Sequence, residues 1–301
     1  MANFDLSKLM EGKNPQAVML AETRQLKAKW DKTGLLEGMK ERDQHSMAVL
    51  LENQAKQLLD EATQTGTSAG SEEWSGVALP LVRRIFGEIA SKEYRALGIS
   101  TALSPQIDLA TEPRWNRFVG TFGEDPSLAT DMARAYIDGF QTPTNEIGSY
   151  NGWGNSSVNA MVKHWPSGGP EEGGRDAHFA YGKFAVYPGN QFETHLKPFT
   201  EGAFNLAGST KKAAALMPYY TISFNQDKKN QENVGNGFSK YIITDLLRNK
   251  YAYDGVVCTD WLITGDEGPK PDVFMGKPWG VEKMTIAERH YKVLLAGADQ
   301  F

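Results

Sequence analysis

A single cysteine, Cys258, stands among 301 residues. No intrachain disulfide can form, and a thiolate zinc site lacks its ligands. No apolar run approaches the ~20 residues of a membrane span, so no membrane partner is expected. The opening Met1-Ala2-Asn3-Phe4-Asp5-Leu6-Ser7-Lys8 lacks the apolar core of an export signal, which predicts a cytoplasmic chain. Basic residues are not in excess. The 32 Lys and Arg against 37 Asp and Glu leave a net charge of −5, which gives no support for nucleic-acid binding. Histidines are few, and His178 and His195 have no metal-ligand spacing, so neither a metal nor a cofactor is expected. The remainder, 40% hydrophobic and 23% charged, is a globular composition.

Residues 1–62 read as helix. Asn14-Pro15 makes a good N-cap and first-turn pair for a helix through Trp30, and Gly34 breaks it. A second helix over about 35–62 carries Met47, Leu51, Ala55, Leu58 and Ala62 on one stripe, with charges opposite. Residues 63–73 are small and polar, a linker or loop. Pro80 makes the next apolar stretch a poor central strand. From about Glu88 the texture alternates. Strands are expected at 104–109, 160–165, 215–220 and 255–261, and helices at 126–140, 191–204, 237–250 and 285–295. That order predicts βαβ units and a parallel sheet. Long loops at 142–157 and 166–187 join them, and such loops often carry function.

Four of the expected strand ends carry polar groups. The run Asp108-Leu109-Ala110-Thr111-Glu112-Pro113-Arg114-Trp115-Asn116-Arg117 leaves the first with two arginines and two acids. Lys163-His164, Tyr219-Tyr220 and Asp260-Trp261 end the others. In a parallel barrel all four ends reach one face. Arg and Lys donate to sugar hydroxyls, His donates or accepts, and a carboxylate beside an indole suits chemistry at an anomeric carbon. Each group also has a plainer reading. A Lys-His pair is ordinarily structural or solvated, an Asp after a strand is often a helix N-cap, and Arg114 and Arg117 can form structural ion pairs. Glu171-Glu172-Gly173-Gly174-Arg175-Asp176 reads as a tight surface loop rather than a metal site.

The segments SPQIDLATEPRWNRFVGTFGEDP, VKHWPSGGPEEGGRDAH and YDGVVCTDW resemble the catalytic barrel of glycoside hydrolase family 3, the β-glucosidase family, over residues from about 89 to 301. The resemblance implies an α/β fold, a partial (β/α)8 TIM-type barrel preceded by an α-helical N-terminal arm. It also implies retaining hydrolysis of terminal β-linked glucosyl residues in a β-glucoside or oligosaccharide. Asp260 is then the nucleophile, and Arg117, Lys163, His164 and Tyr220 line the sugar subsite beside Trp261. Asn116 stands where the family more often has Gly, and Trp165 where it more often has Phe.

The same resemblance predicts absences. The chain stops near a last barrel strand, before the second domain that supplies the acid/base carboxylate, and the first barrel strands are lacking. Weak or impaired turnover is the expectation. Residues from about 14 to 87, through MAVLLENQAKQLLDEA and WSGVALPLVRRIFGEI, are similar to the N-terminal region of the major capsid protein of large myovirus-type tailed phages. The resulting division is a capsid-like arm over 1–62, a linker and junction over 63–88, and the barrel segment over 89–301. The two resemblances meet near Phe86-Gly87-Glu88-Ile89-Ala90, which suggests a chimera. The alternative function it implies is that of a phage head structural protein.

Overall fold

The computed structural model describes residues 84–142 and 152–301. The helices expected over 14–30 and 35–62, and the linker over 63–73, lie outside these residues. The chain divides into compact units of 1–82 and 83–301, and the second is described here. That unit begins inside the segment read as a junction.

Helix α1 covers 84–96. After strand β1 (Thr101–Ala102) comes α2 (Pro126–Gln141). Asp125 caps α2 by accepting from the Leu128 N–H, and Pro126 fills the first turn where an N–H would be orphaned anyway. Its buried Ala129, Met132, Ala133, Tyr136, Ile137 and Phe140 recur at helical spacing and face the core. Strand β2 (Asn159–Trp165) follows, then β3 (Phe184–Ala185) and α3 (Phe192–Lys197), which runs on as a wider π-type turn, Pro198–Ala203. Strands β4 (Ala215–Pro218) and β5 (Ile222–Ser223) precede α4 (Tyr241–Lys250), also of π type. Strand β6 (Val256–Val257) and α5 (Ile286–Ala296) complete the order. A reciprocal Thr285–Glu288 capping box opens α5, and Gly297, at φ 102°, closes it in the left-handed region that glycine adopts without penalty.

The main sheet has the order β1-β2-β4-β6, every pair parallel. Thr101 pairs with Asn159, Met161 with Ala215, and Ala215 with Val256. A parallel bridge from Cys258 to Gln300 adds the chain beyond α5 at the β6 edge. All four residues of β4 are buried, as a parallel strand covered on both faces requires. This bears out the α/β alternation. Among the described residues the sheet does not close on itself. No helix in these residues is long and apolar enough to cross a membrane.

The strand expected at 215–220 ends as ladder at Pro218, and two others fall further short of their apolar runs. Over 104–109 no ladder strand forms, because Pro105 has no N–H to donate. The segment still tracks β2, with Lys163 N–H donating to the Pro105 carbonyl and Ile107 N–H to the Lys163 carbonyl. The run 255–261 keeps only Val256–Val257 as ladder before its partner changes to Gln300. Two close contacts hold the layers. The buried Gln141 ends α2 beneath the sheet. Its Oε1 accepts from the N–H of Ala160 and of Ala214, and its Nε2 donates to the Lys212 carbonyl, tying β2 to β4. Helices α1 and α2 cross at Gly87 and Gly139, so Gly87, at the point where the two resemblances meet, is packed into this unit.

A Cβ at residue 139 would lie 2.3 Å from the Arg84 carbonyl oxygen and 3.0 Å from the Gly87 Cα. Gly139→Ala is therefore expected to force the helices apart at a cost of about 2–3 kcal/mol. Urea unfolding should show a lower midpoint with an unchanged slope.

Candidate active site

The polar groups read from the sequence gather at the C-terminal ends of parallel strands. His164 lies near the end of β2, Tyr219 and Tyr220 follow β4, and Asp260 follows β6. Asp108 follows the stretch that tracks β2 through the Gln106–Lys163 bridge. Asp108 is the deepest of them and wholly buried. Its Oδ1 accepts from the backbone N–H of His164 at 3.1 Å and of Gly168 at 2.5 Å. Its Oδ2 lies 2.8 Å from His164 Nδ1. Burial raises this carboxyl, but the His164 imidazole and the two backbone donors more than offset that, and its pKa falls below the usual carboxylate value.

On the other side of the imidazole, His164 Nε2 lies 3.2 Å from Arg117 Nη2. A guanidinium can only donate, so Nε2 accepts. The ring proton therefore sits on Nδ1 and is donated to Asp108, which fixes one neutral tautomer. Burial, opposed by Asp108 and helped by Arg117, lowers the His164 pKa, consistent with that neutral form. Arg117 also donates to the Tyr219 hydroxyl at 3.3 Å. Burial would lower the guanidinium, yet Tyr219, Asp108 and Asp260 together raise it.

Asp260 is 6% exposed. Its Oδ1 accepts from the Trp261 N–H at 2.8 Å, and its Oδ2 lies 3.9 Å from His164 Nε2. The Tyr220 hydroxyl faces it. Burial, then the charge of Asp260 and hydrogen bonding to it, push the Tyr220 phenol well above its ordinary value, so it keeps its proton. Lys163 is half-buried. Burial and Arg117 lower its ammonium while Asp260 and Asp108 pull the other way. Trp261 leaves its indole 45% exposed at the mouth. Asp260, Arg117, Lys163, His164 and Tyr220 thus form one electrostatic cluster, with Trp261 adjoining Asp260 along the chain.

Three members of the site were missed as such from sequence. Asp108 was visible only as one acid of a polar strand end, and nothing in its spacing marked it as the partner of His164. Tyr219 adjoins Tyr220, but only contacts across the sheet reveal that Tyr219 serves Arg117 while Tyr220 faces Asp260. Glu171 was read within a surface loop, yet it is 1% exposed. Gly173 and Gly174 take φ 65° and 72°, and this tight turn returns the chain so that Ala177 N–H donates to Glu171 Oε1 at 2.9 Å. Its Oε2 has no partner at bonding geometry. Neighbouring Asp176 is different. Burial raises it, but His178 and Asn116 hydrogen bonds outweigh this and hold it at about 2. His195 Nε2 lies 3.5 Å from Thr111 Oγ1. It is buried with Nδ1 2.8 Å from Ser167 Oγ. Among the described residues no group of His, Cys, Asp and Glu has the makings of a metal site.

Burial, only partly offset by the Ala177 N–H, pushes Glu171 up to about 8 from an ordinary 4.5. A carboxyl raised in the folded state contributes stability that is complete below its unfolded pKa and is lost as pH rises through the folded one. Glu171→Gln, which cannot ionise, should match the wild type near pH 5 and surpass it near pH 9. The expected gap is on the order of a few kcal/mol, read from denaturant unfolding at the two pH values.

Comparison with known proteins gives the family. The family model described as the glycosyl hydrolase family 3 N terminal domain matches residues 53–270. The match starts within the stretch that was similar to a capsid protein. The relatives named here are glycosidases, and they lend that capsid similarity no support. The chain is 48% identical over 233 residues to a periplasmic β-glucosidase/β-xylosidase of Dickeya chrysanthemi, covering 73% of this chain and 34% of that protein. It is 43% identical over 222 residues to β-glucosidase C of Emericella nidulans, covering 74% of this chain and 33% of that one. The chain thus spans about a third of the length of the curated relatives it matches. Among solved structures, a β-glucosidase from Erythrobacter marinus aligns with a TM-score of 0.56 at 25% identity, covering 75% of this chain and 26% of that one. A β-glucosidase from Listeria innocua in complex with gluconolactone aligns at 0.56 and 22% identity over 75% of this chain and 27% of that one, a likeness of fold. The chain belongs to glycoside hydrolase family 3 and carries that family's N-terminal domain.

Proposed function

We propose that this chain is the nucleophile-bearing part of a retaining β-glucosidase acting on terminal β-linked glucosyl residues, and that its open parallel sheet is a sector of a (β/α)8 barrel. The observation that carries the reading is Asp260 at a strand end, 3.9 Å from an imidazole whose tautomer Asp108 and Arg117 fix. Asp260 attacks the anomeric carbon and forms a glycosyl ester while the bond to the leaving oxygen breaks. Water then cleaves the ester and returns the carboxylate. Arg117 and Lys163 donate to sugar hydroxyls, Tyr220 steadies Asp260, and the exposed Trp261 indole offers a face for the apolar side of a ring. The fixed charges around the site are three cations, Arg117, Lys163 and Lys277, and three carboxylates, Asp108, Asp176 and Asp260. That balance suits a neutral polyol better than an ionic substrate.

The general acid is assigned to none of the described carboxylates. Asp108 and Glu171 are sealed from solvent, and Asp176 is bound by His178 and Asn116. A leaving group that needs no protonation bypasses this requirement, so an activated aryl β-glucoside is the probe of choice. Turnover of that glucoside should fall more than about 10³-fold in Asp260→Asn, with the fold intact by circular dichroism. Turnover that survives the substitution would remove Asp260 from the reaction.

A further inference from the structure

Lys277 is a lysine with 1% of its surface exposed and no carboxylate within ion-pair distance among the described residues. Its Nζ donates to the carbonyls of Val273 at 2.8 Å and Met275 at 2.6 Å. The same atom stands 5.2 Å from the centre of the Tyr220 ring. Its backbone N–H donates to the Leu262 carbonyl, two residues past Asp260. One side chain therefore touches the loop that follows the nucleophile position and the ring whose hydroxyl faces Asp260.

We propose that Lys277 is a positioning residue for the reaction read above. Its buried ammonium holds the Tyr220 ring beneath Asp260 and supplies a fixed positive charge to that carboxylate. This inference rests on Asp260 being the reacting group. The plainer alternative is that Lys277 only fastens the 273–275 turn, whose Phe274 side chain is 81% exposed. The charge is costly to keep there. Burial lowers the Lys277 pKa, and Asp260 first, then Asp272 and Asp176, oppose that. The titratable groups facing Asp260 from the packed elements are Arg117, Lys163, His164, Tyr220, Cys258 and Lys277. Of these, Lys277 also contacts the Tyr220 ring as a cation and the loop carbonyls as a donor.

Two measurements on the full chain separate the readings. The first follows the Lys277 ammonium by 15N NMR of lysine-labelled protein, with Lys277→Arg assigning the resonance. If the two charges face each other, Asp260→Asn lowers the Lys277 titration by about one pH unit. An unchanged titration overturns the proposal, and this arm uses an isosteric substitution that leaves the packing alone. The second follows covalent capture of a 2-deoxy-2-fluoro-β-glucoside with a dinitrophenyl leaving group by mass spectrometry. Lys277→Met should slow capture about 10-fold and move the acidic limb of its pH profile up by about one unit, while Lys277→Arg restores the limb. A folded Lys277→Met protein with an unmoved limb makes Lys277 a loop fastener only. Failure of the wild type to be captured, with the Lys277 titration still responding to Asp260→Asn, overturns the glycosidase reading and the positioning role with it, and leaves only the charge contact between Lys277 and Asp260.

Discussion

The arrangement of this site depends on the hydrogen-bonded pair of Asp108 and His164. Asp108 is acceptor-only when ionised, and its three partners are donors from two residues: the His164 ring, the His164 backbone and the Gly168 backbone. The carboxylate therefore folds the start of the long 166–187 loop over itself while it chooses the imidazole tautomer. The choice propagates outward. With Nδ1 protonated, Nε2 must accept, which seats Arg117. Arg117 in turn reaches Tyr219 and the field of Asp260. Remove the buried carboxylate and each later contact loses its reason.

Family membership and the α/β alternation were legible in the sequence because both rest on local chemistry. Apolar runs and their spacing announce elements without help from distant residues. Asp260, Arg117, Lys163, His164 and Tyr220 were legible as polar ends of those elements, and they do converge. What stayed hidden is non-local. Asp108 meets His164 across 56 residues, Tyr219 meets Arg117 across 102, and Glu171 is buried by a turn made of two left-handed glycines. The shortened strands were misjudged for a different reason, since an apolar run records burial and not ladder pairing. Pro105 and residues 107–109 are buried beside β2 without forming a strand.

The loop between Asp260 and α5 shows a second kind of order. Arg289, 2% exposed on α5, donates to the carbonyls of Thr264, Gly265, Val281 and Glu282 and pairs with Asp266. Lys277 donates to two more carbonyls of the same loop. Two buried cations thus take up main-chain acceptors that an irregular loop would otherwise bury unpaired. Gly265 and Gly276 allow the two limbs to approach closely, since a Cβ on Gly276 would stand 2.1 Å from the Gly265 carbonyl carbon. The loop that follows Asp260 and Trp261 is therefore tied to α5 and to itself through its own main chain.

Fastening that loop mostly through neutral carbonyls has a consequence for the medium in which the protein works. Ion pairs at the surface, such as Lys212 with Asp254 or Lys250 with Glu193, are weakened as mobile ions accumulate around them. A buried cation held largely by peptide oxygens is less open to this, because those partners carry dipoles rather than charges, and only the Arg289 contact to Asp266 is an ion pair of the exposed kind. The carbonyl contacts that fasten the mouth of the site are therefore expected to hold in brine as in dilute buffer, even where the outer ion pairs have dissolved.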